Sequence, residues 1–215
     1  LDPASVEEKI TPRTKAIIVT HLFGHSADMD GIMSVAERYN LRVVEDSAQA
    51  PEVLYKGRRA GTLGDIGVFS LNCHKTIQTG EGGVCVTADL ELAKRLRLIR
   101  NHAEAVVGEM GVKSMVNMIG WNYRMTEIEA AIGREQLKRL RSFNEQRWKL
   151  ASRLTERLRG LPGLIPPVVR PDCSHGYYVY AVKVVPEILG VSRDLFAKAV
   201  RAEGIPVSSG YVPPL

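Results

Sequence analysis

The stretch "AIIVTHLFGHSADMDGIMSVAERYNLRVVED" (Ala16–Asp46) decides the architecture. Ala16–Thr20 is an apolar run of the kind that forms a strand buried on both faces. Met29–Asn40 sets Ile32, Met33, Val35 and Ala36 at helical spacing and supplies a C-terminal stop in Asn40. Leu41–Asp46 then reads as the next strand. Strand, helix and strand within about thirty residues make a βαβ unit, hence two parallel strands with a right-handed crossover.

Outward from that unit, "LDPASVEEKITPRTK" (Leu1–Lys15) predicts a short helix with Pro3 in its first turn, ending before Pro12. Downstream, "DIGVFS" (Asp65–Ser70) and "GVCVT" (Gly83–Thr87) predict short strands, with turns at Gly57, Gly61 and Gly64. A helix is expected over Asp89–His102, and Ala103–Gly120 reads as a long loop, which in a compact domain tends to be functional. From Thr126 a helical pattern runs for over thirty residues, with Thr126 as N-cap, Glu129 completing a capping box and Gly160 as the stop. The proline-rich "GLPGLIPPVVRP" (Gly160–Pro171) marks a boundary; beyond it a strand is expected over Tyr177–Val185 and a capped helix over Ser192–Gly204. The expected organisation is α/β: a large domain over 1–140, then a connecting helix and the start of a smaller α+β domain over 141–215.

Apolar residues make up 45% of the 215 and charged residues 25%, the balance of a soluble globular protein. No apolar run reaches membrane-spanning length, so no membrane role is read and cytoplasmic residence is the default. Cys73, Cys85 and Cys173 form no CxxC pair, which argues against a disulfide framework. His21 and His25 could share a helix face, but Gly24 lies between them and no HExxH occurs, so a loop outweighs a metal site. The net charge of +5 is concentrated between Arg134 and Arg159 and reads as the solvated face of a helix. A nucleic-acid surface would need a recognisable module or stacking aromatic residues nearby, and neither is found.

"FSLNCHKTIQTGEGGVCVT" (Phe69–Thr87) puts Lys75 in a polar loop between two apolar runs. The glycines follow the lysine, whereas a Walker A loop needs them before it, so "TGEGG" reads as a tight turn. Burial favours the neutral form of an amine, which is then a nucleophile or base suited to a Schiff base with a carbonyl. In "VVEDSAQA" (Val43–Ala50), Asp46 ends a buried parallel strand, where ligands bind open α/β sheets. Its carboxylate either caps the following turn or holds a cation, and Gln49 stands on the same turn. Lys75 and Asp46 together fit pyridoxal phosphate (PLP), which needs a lysine for its aldehyde and an acid for its ring nitrogen. Ser70, at a strand end, offers a hydroxyl to the phosphate.

"TPRTKAIIVTHLFGHSADMDGI" (Thr11–Ile32), "VVEDSAQA", "GTLGDIGVFSLNCHKTIQTGEGGVCVT" (Gly61–Thr87), "LRLIRNHAE" (Leu96–Glu104) and "IGWNYRMTEIEAAIGREQL" (Ile119–Leu137) follow one another in order over nearly the whole chain. They resemble successive motifs of the DegT/DnrJ/EryC1/StrS-type sugar aminotransferases of PLP fold type I. The resemblance implies a mixed, mostly parallel sheet with flanking helices, and PLP as cofactor. It makes Lys75 the Schiff-base lysine and proton shuttle, Asp46 the partner of the ring nitrogen, Gln49 the neighbour of the 3-hydroxyl and Ser70 a phosphate ligand. Asn122 matches an asparagine that reaches the phosphate of the neighbouring subunit, which implies a homodimer with a shared active site. The implied reaction moves an amino group from glutamate to a keto group of a nucleotide-linked sugar. Asn72 and Cys73 depart from the histidine or other aromatic residue, then proline, that many relatives carry beside the sugar. Some dehydratases of the group carry histidine in place of Lys75, so its presence favours transamination over dehydration. The resemblance also makes the chain the central portion of such an enzyme, without the relatives' amino-terminal phosphate loop and ring-stacking residue. A non-catalytic dimerisation fragment, pairing through Ala103–Arg124 and the long helix, is therefore the other reading.

Overall fold

The computed structural model describes residues 1–103 and 118–211. Most of the loop expected over Ala103–Gly120 lies outside the described residues. The elements run α1 (Pro3–Glu7), β1 (Ala16–Thr20), α2 (Met29–Arg38), β2 (Arg42–Asp46), β3 (Leu54–Tyr55), β4 (Arg58–Arg59), β5 (Ile66–Ser70), β6 (Gly83–Val86) and α3 (Leu90–Arg100). After these come α4 (Glu127–Leu158), β7 (Leu164–Ile165), β8 (Lys183–Val184), α5 (Pro186–Leu189) and α6 (Arg193–Ala202).

The central sheet has the order β1-β2-β5-β6. β1 and β2 pair in parallel from Ala16↔Arg42 to Thr20↔Asp46, as the βαβ reading requires. β2 also pairs in parallel with β5, setting Asp46 beside Val68, and β6 returns antiparallel along β5. Three strands therefore end on one side, with Asp46 and Ser70 at the carboxyl ends of two neighbours. The "TGEGG" stretch turns the chain back between β5 and β6, with Gly80 at φ 90° and Gly82 at φ 150°, backbone that residues bearing a Cβ rarely adopt.

One expectation about β1 fails. Ile17 and Val19 are buried, but Ile18 is 68% exposed. Helices α1 and α2 cover only the face that carries Ile17, Val19 and Val43, where Ile32, Val35 and Ala36 complete the apolar cluster with Val6 and Ile10 packed against it. Among the described residues the opposite face of this edge strand stays open, so an apolar composition does not mean burial on both faces.

Local chemistry accounts for the helix ends. Asp28 caps α2 and Asp89 caps α3, where its Oδ1 accepts from the Glu91 and Leu92 amides. At α4, Thr126 Oγ1 accepts from the Glu129 amide at 3.2 Å and Glu129 Oε2 accepts from the Thr126 amide at 2.8 Å, the expected capping box. Ion pairs Lys138–Glu135 and Arg141–Glu145 offset part of the helix's positive charge.

The strand expected over Tyr177–Val185 shrinks to Lys183–Val184, paired with Leu164–Ile165. Tyr177 has φ 46°, which breaks an extended run. The chain ahead of it binds elsewhere: the Gly176 amide donates to the Gly24 carbonyl at 2.6 Å and the Val179 amide to the Phe23 carbonyl at 3.4 Å. The chain forms two compact units, one of Leu1–Trp148 with Val169–Val179 and one of Lys149–Val168 with Tyr180–Leu215. The residues considered next all belong to the first.

Candidate active site

β2 delivers Asp46 to the carboxyl edge of the sheet. Its carbonyl accepts from the His21 amide at 3.0 Å, and its Oδ1 accepts from the Ala48 amide at 3.0 Å, so the carboxylate caps the following turn. Among the described residues Oδ2 has no hydrogen-bond partner. The same turn presents Gln49, whose Oε1 accepts from the Phe23 amide at 2.6 Å. That bond fixes the orientation of the side-chain amide and leaves its NH2 as a donor.

β5 delivers Ser70, whose Oγ accepts from the Asn72 amide at 3.3 Å. Asn72 organises the next turn: its Oδ1 accepts from the His74 amide at 3.0 Å, its carbonyl from the Lys75 amide at 2.9 Å, and its Nδ2 donates to Glu81 at 2.7 Å. Lys75 is half-buried in this turn rather than enclosed between the strands. Nζ lies 5.0 Å from the centroid of the Tyr178 ring, and no carboxylate pairs with it among the described residues.

Tyr178 belongs to the Val169–Val179 strap, which sequence reading placed beyond the boundary. No local pattern in "YYVY" tells which loop it meets. The strap is tied down along its length. The Arg170 amide donates to His25 Nε2 at 3.1 Å, Ser174 exchanges two hydrogen bonds with Leu54, and Trp148 Nε1 donates to the His175 carbonyl. His175 Nδ1 accepts from the Tyr177 amide at 2.9 Å, and the two rings stack at 4.2 Å. Burial, then the neighbouring His25, pushes His175 down to about 4. Burial also lowers His25, against the opposing hydrogen bond to the Ser26 carbonyl.

Gly24 is the point where these pieces converge. It has φ +90°, and a Cβ there would lie 3.0 Å from the Gln49 carbonyl oxygen and 3.1 Å from the Tyr178 nitrogen. The Asp46–Gln49 turn, the His21–Gly24 turn and the strap thus form one contiguous edge, and Tyr178 carries that edge to Lys75. Asn122 stands apart, exposed and flanked in sequence by Trp121 and Tyr123, whose rings stack on each other, on a segment whose backbone pairs with Ile99–His102. It touches none of the other four candidates among the described residues.

Two further features escaped sequence reading. Beneath Asp46, the wholly buried Glu45 accepts hydrogen bonds from His21 Nε2 and from the amides of Gly61, Leu63 and Gly64. The alternation of β2 marks Glu45 as inward-facing, but nothing local names its partners. A cavity of about 530 Å³ opens between β5 and α4, walled by Phe69, Leu137 and Leu140. It reaches Ser70 and the unpartnered Ser47 hydroxyl but not Asp46, Gln49 or Lys75, so it is not centred on the candidate chemistry.

The family model described as the DegT/DnrJ/EryC1/StrS aminotransferase family matches residues 1–215. The chain belongs to this family. It is 38% identical over 216 residues to the dTDP-3-amino-3,4,6-trideoxy-alpha-D-glucose transaminase of Streptomyces venezuelae, covering 100% of this chain and 54% of that protein. It is 39% identical over 206 residues to the GDP-perosamine synthase of Caulobacter vibrioides, covering 95% and 54%. The crystal structure of DesV from S. venezuelae in complex with a ketimine intermediate superposes with a TM-score of 0.85 at 39% identity, over 96% of this chain and 53% of that one. The chain spans about half the length of the curated relatives it matches. Its fold is that of the PLP fold type I sugar aminotransferases, a mixed, mostly parallel sheet with helices. Among the described residues no helix is long and apolar enough to cross a membrane.

Proposed function

We infer that this DegT-family chain carries the cofactor-binding centre of a PLP-dependent aminotransferase that moves an amino group from glutamate to a keto group of a nucleotide-linked sugar. The observation that carries the reading is the donor set at the carboxyl edge of the sheet. Among the described residues, Asp46 has an oxygen without a partner, Gln49 an amide donor without one, and Lys75 an amine that no carboxylate pairs with, while Ser70 ends the adjoining strand. These are the groups that a pyridinium nitrogen, a phenolic oxygen, a phosphate and an aldehyde require.

When bound, PLP supplies an aldehyde to capture amines and a ring that takes up the electrons released by deprotonation at the amine-bearing carbon. Asp46 holds a proton on the ring nitrogen through its Oδ2, while Ala48 and β2 fix the carboxylate. Gln49 donates to the phenolic oxygen, its orientation set by Phe23. Ser70 donates to the phosphate. Lys75 would hold the cofactor through its aldehyde, and its Nζ, when free, would move a proton at the substrate carbon. Asn122, exposed beside Ile119 and Trp121, acts across a homodimer contact on the phosphate of the neighbouring copy.

In the complete polypeptide, Lys75→Ala removes the visible absorbance of lysine-bound cofactor and the conversion of glutamate to 2-oxoglutarate. Turnover at the parental rate in that variant would overturn the assignment.

A further inference from the structure

Lys75 presents a physical problem that its turn does not solve. Asn72 fixes the backbone at Lys75, but rotation about four side-chain bonds still moves Nζ. An amine that attacks one aldehyde in one place must be directed there before it reacts. A carboxylate could direct it, yet it would also hold the proton that the amine must lose. The structure uses a ring face instead: Nζ sits 5.0 Å from the Tyr178 centroid. The π-face attracts the ammonium, accepts no proton, and has little hold on the neutral amine. Losing the proton, which attack requires, thus also loosens the grip.

Tyr178 is well placed for this because its backbone is rigid. Gly176 and Val179 are bonded to the His21–Gly24 turn, and His175 is bonded to Trp148 on α4. The same turn anchors Gln49. One frame therefore sets the ring that receives the lysine and the amide that faces the cofactor's phenolic oxygen.

We propose that Tyr178 is a positioning residue for Lys75, docking the free ammonium on its ring face so that the amine rests at the site whenever it is not bonded to an aldehyde. The proposal rests on the reading of Lys75 as the aldehyde-binding amine, but its test reads the ring contact alone.

The experiment is amine acetylation of the complete polypeptide before any cofactor is added, with the rate at Lys75 followed by peptide mass spectrometry. Lys94 and Lys138, paired with Glu91 and Glu135 on exposed helix faces, serve as internal references. Tyr178→Leu raises the Lys75 rate about fivefold, within the range of about twofold to thirtyfold that such contacts span, and Tyr178→Phe stays within about twofold of the parent because the ring face remains. An unchanged rate in Tyr178→Leu overturns the proposal, as does an equal rise in both variants. If Tyr178→Leu does not fold, the parent protein decides. After reductive methylation with labelled formaldehyde, the Lys75 methyl resonance is displaced upfield of the other lysines by the ring current, and a resonance among the others refutes the docking. Whether borohydride fixes PLP on Lys75 is a separate result, so the two readings can fail independently.

Discussion

Replacing Glu45 tests the frame beneath the site. Its two oxygens accept four donors: Leu63 and Gly64 amides at 2.6 Å each, the Gly61 amide at 2.7 Å and His21 Nε2 at 2.9 Å. His21 Nδ1 accepts from the Ala27 amide at 3.0 Å, so the proton of the imidazole sits on Nε2 and points at Glu45. Burial pushes the Glu45 carboxyl up, but the hydrogen bonds from His21, Gly64, Gly61 and Leu63 outweigh it and hold the group below the ordinary carboxylate range. Glu45→Leu strands all four donors, with His21 and Gly61 buried and Leu63 and Gly64 half-buried. Each unsatisfied buried donor costs about 1–3 kcal/mol, and relaxation of the Gly61–Gly64 loop recovers part of it. The net expectation is a loss of about 4 kcal/mol, the low end of the sum over the four donors. Urea unfolding of the complete polypeptide, followed by circular dichroism, measures the loss. Hydrogen exchange should show the Gly61, Leu63 and Gly64 amides losing protection. A Glu45→Leu protein within about 1 kcal/mol of the parent, its three amides still slow to exchange, would refute the reasoning.

Two further expectations concern the strap. The unfolded chain takes up a proton at His175 near 6.5 and the folded chain only near about 4, so between these values the unfolded state binds more proton and stability falls as pH falls. The contribution is bounded at about 3 kcal/mol, and His175→Gln should flatten the slope of denaturation midpoint against pH over that window; equal slopes would contradict it. Gly24→Ala forces a Cβ into φ +90° against the Gln49 carbonyl and the Tyr178 amide, which should cost ~1–2 kcal/mol and lower PLP affinity with it. Unchanged affinity would show that Gly24 does not set the edge.

Periodicity revealed the βαβ unit because α2 and its flanking strands carry their own spacing. The exposure of Ile18 is not legible, since it depends on which neighbours cover an edge strand. The strand expected at Tyr177 failed for a related reason. "YYVYAVKVV" has strand composition, but its Tyr177 amide goes to His175 and its Val179 amide to Phe23, far away in sequence. Local sequence singles out Asp46, Ser70 and Lys75, with Gln49 on the same turn as Asp46, and the family resemblance adds Asn122. Neither reveals Tyr178 beside Lys75, or His21 beside Glu45, because contacts across the fold leave no local pattern.

The most direct test of the central claim is a map of where PLP attaches. The complete polypeptide is treated with PLP, reduced with borohydride and digested, and the pyridoxyl-bearing peptide is sequenced by mass spectrometry. A single stoichiometric adduct on Lys75 is the predicted result. An adduct spread over surface lysines, or none on Lys75, would contradict the account.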